Sequence, residues 1–266
     1  MKYFVIAAFL VLSSNAFASD ISFLQGKTVV GCENEEGYPP FIYVDSTGKL
    51  TGYSVDLIDL VFENSGAKTK YRTIPWRRCL LEIENGEKSD FVLAAAETPE
   101  RREKYLFSNA LAEVHLAYYY DSVKYPNGLD IEVPNDFKKY SVGGMAGFVY
   151  DDYEIPNKIY QSAIRFQQLV NQTIGERFDI LLARYEVFNS LLKAYPNFKN
   201  HDLMKGEKIP WRINRPIKFF FMAKKGSPYH KKLIDFINMR MKEIEKSGQL
   251  FKIKERYGFA TDSNQR

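Results

Sequence analysis

A chain of 266 residues with 37 Lys+Arg against 33 Asp+Glu carries a formal charge of only +4, scattered rather than blocked, which argues against a dedicated nucleic-acid surface. At 45% hydrophobic and 26% charged the balance is that of a globular protein. Beyond the N-terminus every apolar stretch is broken by charge well short of the roughly 20 residues that a membrane span needs.

The first element in the chain reads as an export signal. Lys2 supplies a positive start, residues 3–12 an unbroken apolar run, and Ala16-Phe17-Ala18 a small-residue cleavage site, so residues 1–18 are expected to leave as a signal peptide. The residue after the cut is Ser19 rather than a cysteine that could be lipidated, and the expected product is an untethered periplasmic protein. Removing 18 residues from 266 leaves 248, which suits one large domain or two lobes of about 100 to 130, and two lobes are expected. Cys32 and Cys79 both fall in this oxidising setting. A disulfide, two unpaired buried thiols and a reactive nucleophile are the alternatives. The nucleophile would need a partnered histidine, and His115, His201 and His230 are scattered, none at metal-ligand spacing.

Further along, residues 28–31 form a β-branched run that predicts a strand. Residues 54–64 place Leu57, Ile58, Val61 and Phe62 on one stripe, predicting a helix closed by Gly66. A strand over 70–74, a helix over 77–85 stopped by Gly86 and an apolar strand over 91–95 follow, an alternation that implies a parallel sheet with covering helices. A strand over 116–120 leads to turn punctuation at 125–128, and a second alternating unit starts near Tyr140. It holds a helix with Phe166, Leu169 and Val170, a strand over 178–182 and a helix over 186–194. A last strand over 219–223 precedes a long helix opened by Ser227-Pro228 and carrying Leu233, Phe236, Ile237, Met241 and Ile244 on one face.

The segment from Asp90 to Arg102 is the most informative. An apolar strand runs into a helix with Thr98 as N-cap and Pro99 at its first position, and Arg101 and Arg102 stand in the first turn, against the helix dipole. Free N–H groups together with an arginine fork make a carboxylate site there; the alternative is a solvated arginine paired with Glu100 or Glu103. Tyr38-Pro39-Pro40-Phe41 follows the first strand and Pro75-Trp76 the second. Ligands of open α/β sheets lie beyond the carboxyl ends of strands, so these three segments converge on one edge. Trp76 and Tyr38 then sandwich a small ligand and Glu33 meets its cationic end; otherwise the aromatics only pack. Gly143, Gly144 and Gly147 do not make a dinucleotide fingerprint, and no phosphate loop, nucleophile elbow or carboxylate dyad occurs, so neither a cofactor nor catalysis is signalled.

Taken in order, residues 31–41, the run Gly48-Lys49-Leu50-Thr51-Gly52-Tyr53-Ser54-Val55-Asp56-Leu57, Pro75-Trp76, Gly86 with Asp90, and Thr98-Pro99-Glu100-Arg101 resemble family 3 of the bacterial extracellular solute-binding proteins. Lys225-Gly226-Ser227-Pro228, Ser247-Gly248 and Tyr257-Gly258 extend the resemblance to the end of the chain. It implies the α/β two-lobed periplasmic-binding-protein fold of type II, each lobe a mostly parallel sheet with covering helices, joined by two hinge strands around a closing cleft. Lobe 1 is expected from residues 19–120 plus 219–266 and lobe 2 from 121–218. By position Arg101 matches the carboxylate clamp, Trp76 and Tyr38 the aromatic walls, and Glu33 the acid for a cationic group.

The departures from the family concern the ligand. Ala94-Ala95-Ala96-Glu97 replaces a hydroxyl-bearing segment before Thr98, and Gly147-Phe148 replaces a glycine followed by a hydroxyl residue. Arg184 stands where amino-acid binders carry the acid for the α-ammonium. Ala95, Thr98, Gly147, Phe148 and Arg184 are thus expected at the ligand. Arg184 repels an ammonium, which makes a dicarboxylate or another acid credible unless Glu186 supplies the charge. The resemblance also puts Cys32 at the end of the first strand and Cys79 in the helix after the second, and a disulfide bracing the cleft wall is expected. The implied function is that of a monomeric carrier that hands a small polar metabolite to an ABC permease. No metal, nucleic acid or chemistry of its own is expected. An enzyme on the same scaffold acting on prephenate-like acids, and a ligand-sensing partner of a membrane receptor, are the alternatives.

Overall fold

Runs of β-branched and apolar residues become strands and the striped segments between them helices, in a computed structural model that describes residues 21–195 and 201–259. The expected signal peptide, residues 1–18, lies outside them. In chain order, β1 (Thr28–Asn34) leads through a small hairpin, β2 (Tyr43–Val44) and β3 (Leu50–Thr51), to α1 (Tyr53–Phe62), β4 (Lys68–Ile74), α2 (Trp76–Asn85) and β5 (Phe91–Ala96). Next come α3 (Pro99–Lys104), β6 (Tyr105–Phe107), β7 (Ala112–Val114), β8 (Leu116–Asp121), β9 (Val142–Met145) and β10 (Ile159–Ala163). The chain continues through α4 (Phe166–Ile174), β11 (Ile180–Arg184), α5 (Tyr185–Ala194) and β12 (Met204–Lys208), and ends with β13 (Ile217–Lys224), α6 (Pro228–Lys246) and α7 (Gln249–Arg256).

Two sheets result, one ordered β4-β1-β5-β13-β6 with β7 also on β13, the other β10-β9-β11-β8-β12. Both are mixed. Parallel pairing joins β1 to β4 and β5, and β9 to β10 and β11. The long strand β13 enters antiparallel to β5, β6 and β7, and β8 enters antiparallel to β11 and β12. The β-α alternation in the sequence marks the parallel triplets, whereas the strands that return from far along the chain carry no local sign of direction.

The chain passes between the sheets twice, at His115 between β7 and β8 and over residues 209–216 between β12 and β13. Residues 116–120, expected with the first lobe, therefore pair in the second sheet, in register from Leu116 opposite Arg184 to Tyr120 opposite Ile180. The apolar run continues without a break through this crossing, so the change of neighbours has no local signal until the turn at 125–128. The C-terminal helices return to the first sheet: α6 and α7 pack on α1, where Leu57, Ile58 and Val61 are fully buried with Leu233 and Ile237. Among the described residues no helix is long and apolar enough to cross a membrane.

Candidate functional site

The carboxyl ends of β1 and β5 and the start of α2 and α3 meet at one edge of the first sheet. Glu33, near the end of β1, is 2% exposed, and its two carboxyl oxygens accept the N–H groups of Asn34 at 3.0 Å and Ala94 at 3.1 Å. Burial pushes its carboxyl up to about 8, against the opposing pull of those two N–H bonds and the Arg101 charge. At neutral pH the group is therefore mostly protonated. Thr98 caps α3 by accepting the Arg101 N–H at 3.1 Å, and this turns the Arg101 side chain back so that Nη1 donates to the Ala96 carbonyl at 2.8 Å. Burial pulls the Arg101 pKa down and the Arg184 charge adds to this, yet a guanidinium stays charged at any physiological pH. Behind this wall Cys32 is bonded to Cys79, Cα atoms 5.9 Å apart, which ties β1 to the first turn of α2.

The second sheet contributes the opposite wall. Arg184 at the end of β11 is 5% exposed; Nη2 donates to the Val149 carbonyl at 2.8 Å and the guanidinium lies 5.3 Å over the Tyr153 ring. Gly147 takes φ +78°, and a Cβ there would lie 3.3 Å from the Trp76 ring, so glycine suits both the turn and the close approach. Trp76 Nε1–H donates to the Gly147 carbonyl at 3.1 Å, a hydrogen bond from the first lobe to the second. Phe148 sits edge-on to both Trp76 and Tyr38, at 6.0 and 5.9 Å, and the Tyr38 ring stacks near Phe219 and Phe166.

Together these walls enclose a cavity of about 30 Å³ lined by Glu33, Tyr38, Trp76, Ala95, Arg101, Phe148 and Arg184, with Ala94, Ala96, Val149 and Phe219. That is room for about one or two waters. Thr98 and Gly147 lie just outside it, on a broader groove of about 1040 Å³ that shares Arg101, Phe148 and Val149 with the inner space. Val149 and Phe219 are the lining residues with no prior sign in the sequence: one follows a loop glycine, and the other looks like any core residue of an apolar strand.

Glu186 is a correction. It does not reach the cavity but holds the crossing between the sheets, its carboxylate accepting the His115 N–H at 2.7 Å and standing 2.6 Å from His115 Nδ1. The contact spans 71 positions, so sequence spacing could not show it. A second feature missed in the sequence is a polar seam beside the cleft. Arg165 Nε donates to Glu35 at 2.9 Å, the Phe166 N–H to the Glu36 carboxylate at 2.7 Å, and the Tyr195 hydroxyl to the Glu36 carbonyl at 2.8 Å. The available signal was a helix, α4, whose N-cap is Arg165 and which makes no side-chain cap of its own; Glu36 supplies one from the other lobe. Among the described residues no group of three or more His, Cys, Asp or Glu is placed to hold a metal ion.

Residues 29–260 match the bacterial extracellular solute-binding proteins, family 3. The chain belongs to that family. As a family 3 solute-binding protein it is 25% identical to the L-cystine-binding protein TcyA of Bacillus subtilis over 235 residues, covering 88% of this chain and 82% of that one. It also resembles in fold an ABC uptake transporter substrate-binding protein from Streptococcus pneumoniae with bound histidine, at a TM-score of 0.72 and 20% identity over 90% of this chain and 95% of that one. A histidine kinase sensor domain similar to periplasmic binding proteins has the same fold, at a TM-score of 0.71 and 14% identity over 88% and 96% of the two chains. The type II periplasmic-binding-protein fold is thus common to this chain and these two solved structures, and in this family member the cavity lies between its two sheets.

Proposed function

We propose that this solute-binding protein is an untethered periplasmic carrier that takes a small carboxylate-bearing metabolite, an amino acid or a related acid, into the cleft and presents the shut form to an ABC permease. One observation carries the reading: a half-buried guanidinium and aromatic rings from the first lobe, and a buried guanidinium from the other, line a single enclosed space. Only a molecule that touches both walls stabilises the shut state, so closure itself selects the ligand. The Arg101 fork is the carboxylate clamp, Tyr38 and Trp76 are the walls, and Phe148 closes the far side. Relatives named for binding cystine or amino acids support a cargo of that class.

Thermal-shift and calorimetric titration of the protein purified from the periplasm, against amino acids, dicarboxylates and polyamines, tests this. A ligand at 100 times its Kd should add about 2.7 kcal/mol of stability, and Arg101→Ala should lose it. Unchanged binding in folded Arg101→Ala would remove the clamp from the reading. Conversion of a bound acid to product would replace the carrier with an enzyme on the same scaffold.

A further inference from the structure

We infer that the solute is a short aliphatic dicarboxylate, gripped at one end by Arg101 and at the other by Arg184. This rests on the reading of the cleft as a carboxylate site and narrows it to a chemical class. Arg184 is the starting point. Its side chain is nearly inaccessible, yet of its two terminal nitrogens only Nη2 has a partner, the Val149 carbonyl; Nη1 is buried with no hydrogen-bond acceptor. The Tyr153 hydroxyl, which donates to the carbonyls of Ala117 and Ala183, lies beside the guanidinium and interacts with it, but Nη1 makes no hydrogen bond of ordinary geometry. A charged donor buried without an acceptor is costly, and an anionic oxygen bound beside it would relieve that cost.

The charges around Arg184 set the sign of the group that would suit it. Arg101 and Arg184 line the same cavity and feel each other's charge. The carboxyl that faces them, Glu33, already accepts two backbone N–H bonds, and burial keeps it largely protonated at neutral pH. The enclosed space therefore holds two permanent positive charges and about one neutral acid, and two carboxylates complement it, each matched to a guanidinium fork. Apart from the charged groups and the Tyr38 hydroxyl, the lining is hydrocarbon, from Ala94, Ala95, Ala96, Phe148, Val149 and Phe219 and the Trp76 ring, whose N–H is already given to the Gly147 carbonyl, and it suits a hydrocarbon spacer. The enclosed space of about 30 Å³ is smaller than any such acid, so the walls must part to admit it and can close again only around a spacer of a few carbons. An ammonium group finds no free carboxylate in this set.

Matched pairs of probes give the test: succinate against propionate, and aspartate against alanine, titrated calorimetrically into the wild-type protein and into Arg184→Met and Arg184→Lys. The expected result is that each two-carboxylate probe binds at least about thirtyfold more tightly than its one-carboxylate partner, and that Arg184→Met loses this advantage while Arg184→Lys keeps part of it. Propionate or alanine binding as tightly as its dicarboxylate partner overturns the inference but leaves the Arg101 clamp standing. Full succinate affinity in a folded Arg184→Met has the same meaning. The wild-type pairs decide the matter even if the variants do not fold. Equal binding of every probe by wild type and Arg101→Ala overturns both this inference and the carboxylate reading beneath it.

Discussion

On the first-lobe wall of the cleft Glu33 accepts two N–H bonds, Arg101 is turned back onto the Ala96 carbonyl by its own helix cap, and a disulfide ties strand to helix behind them. On the second-lobe wall Arg184 keeps a buried N–H without an acceptor, and Gly147 and Phe148 meet the first lobe through a carbonyl and a ring. Glu33 and Arg101 on the first wall are bonded within their own lobe, and only Trp76 reaches across to the second. The second completes its bonds only against the other lobe or a guest. If the cleft binds as proposed, affinity comes chiefly from the first wall and choice from the second.

The largest expected effect strips the first wall of its covalent tie. The bond closes a loop of 47 residues' separation, and replacing Cys32 and Cys79 together with serine should lower stability by about 4 kcal/mol in urea melts. A loss below about 1 kcal/mol would show that packing alone sets that wall.

The next effect concerns pH. The folded carboxyl of Glu33 titrates near 8, facing Arg101 and Tyr38, well above its ordinary value of 4.5. Above about pH 4.5 the folded state therefore holds a proton that the unfolded chain has lost, and the contribution of Glu33 to stability is complete at low pH and is lost as pH rises through 8. At about 1.4 kcal/mol per unit of slope, the wild type should lose roughly 2 kcal/mol more between pH 6 and 8 than Glu33→Gln does. Parallel curves for the two proteins would mean that Glu33 is ionised throughout.

Two smaller changes probe the meeting of the walls. Gly147→Ala puts a Cβ at positive φ against the Trp76 ring and should cost about 1 to 2 kcal/mol of closure, read as roughly five- to thirtyfold weaker ligand binding. Trp76→Phe keeps the ring but removes the donor to the Gly147 carbonyl, worth about 1 kcal/mol. Binding equal to wild type in both would show that the contact between walls contributes nothing to capture.

Most of the first wall was legible because its residues sit beside local signals: Glu33 and Tyr38 after a β-branched run, Trp76 after a proline, Arg101 behind Thr98-Pro99. Gly147, Phe148 and Arg184 were reached only through the family resemblance, since nothing around them marks a ligand. Short strands went unread. The alternating exposure of β12 and the mostly exposed face of β10 give them little apolar signal, and they form because a neighbour offers hydrogen bonds. Contacts between residues far apart in the chain, such as Glu186 on His115 or Glu36 on α4, were equally hidden, because they depend on where the lobes place each other.

The seam of Glu35, Glu36 and Arg165 bears on how clearly such a carrier announces its load. Its bonds join the lobes without passing through the cavity, so they hold an empty molecule shut as readily as a full one. Each 1.4 kcal/mol of such attraction raises the ratio of idle shut molecules to open ones about tenfold. If the protein serves the proposed permease, a membrane partner that recognises only the shut outline would meet those idle copies as false arrivals. The acidic pair and its arginine, none of which lines the inner cavity, would then set the background against which cargo is counted.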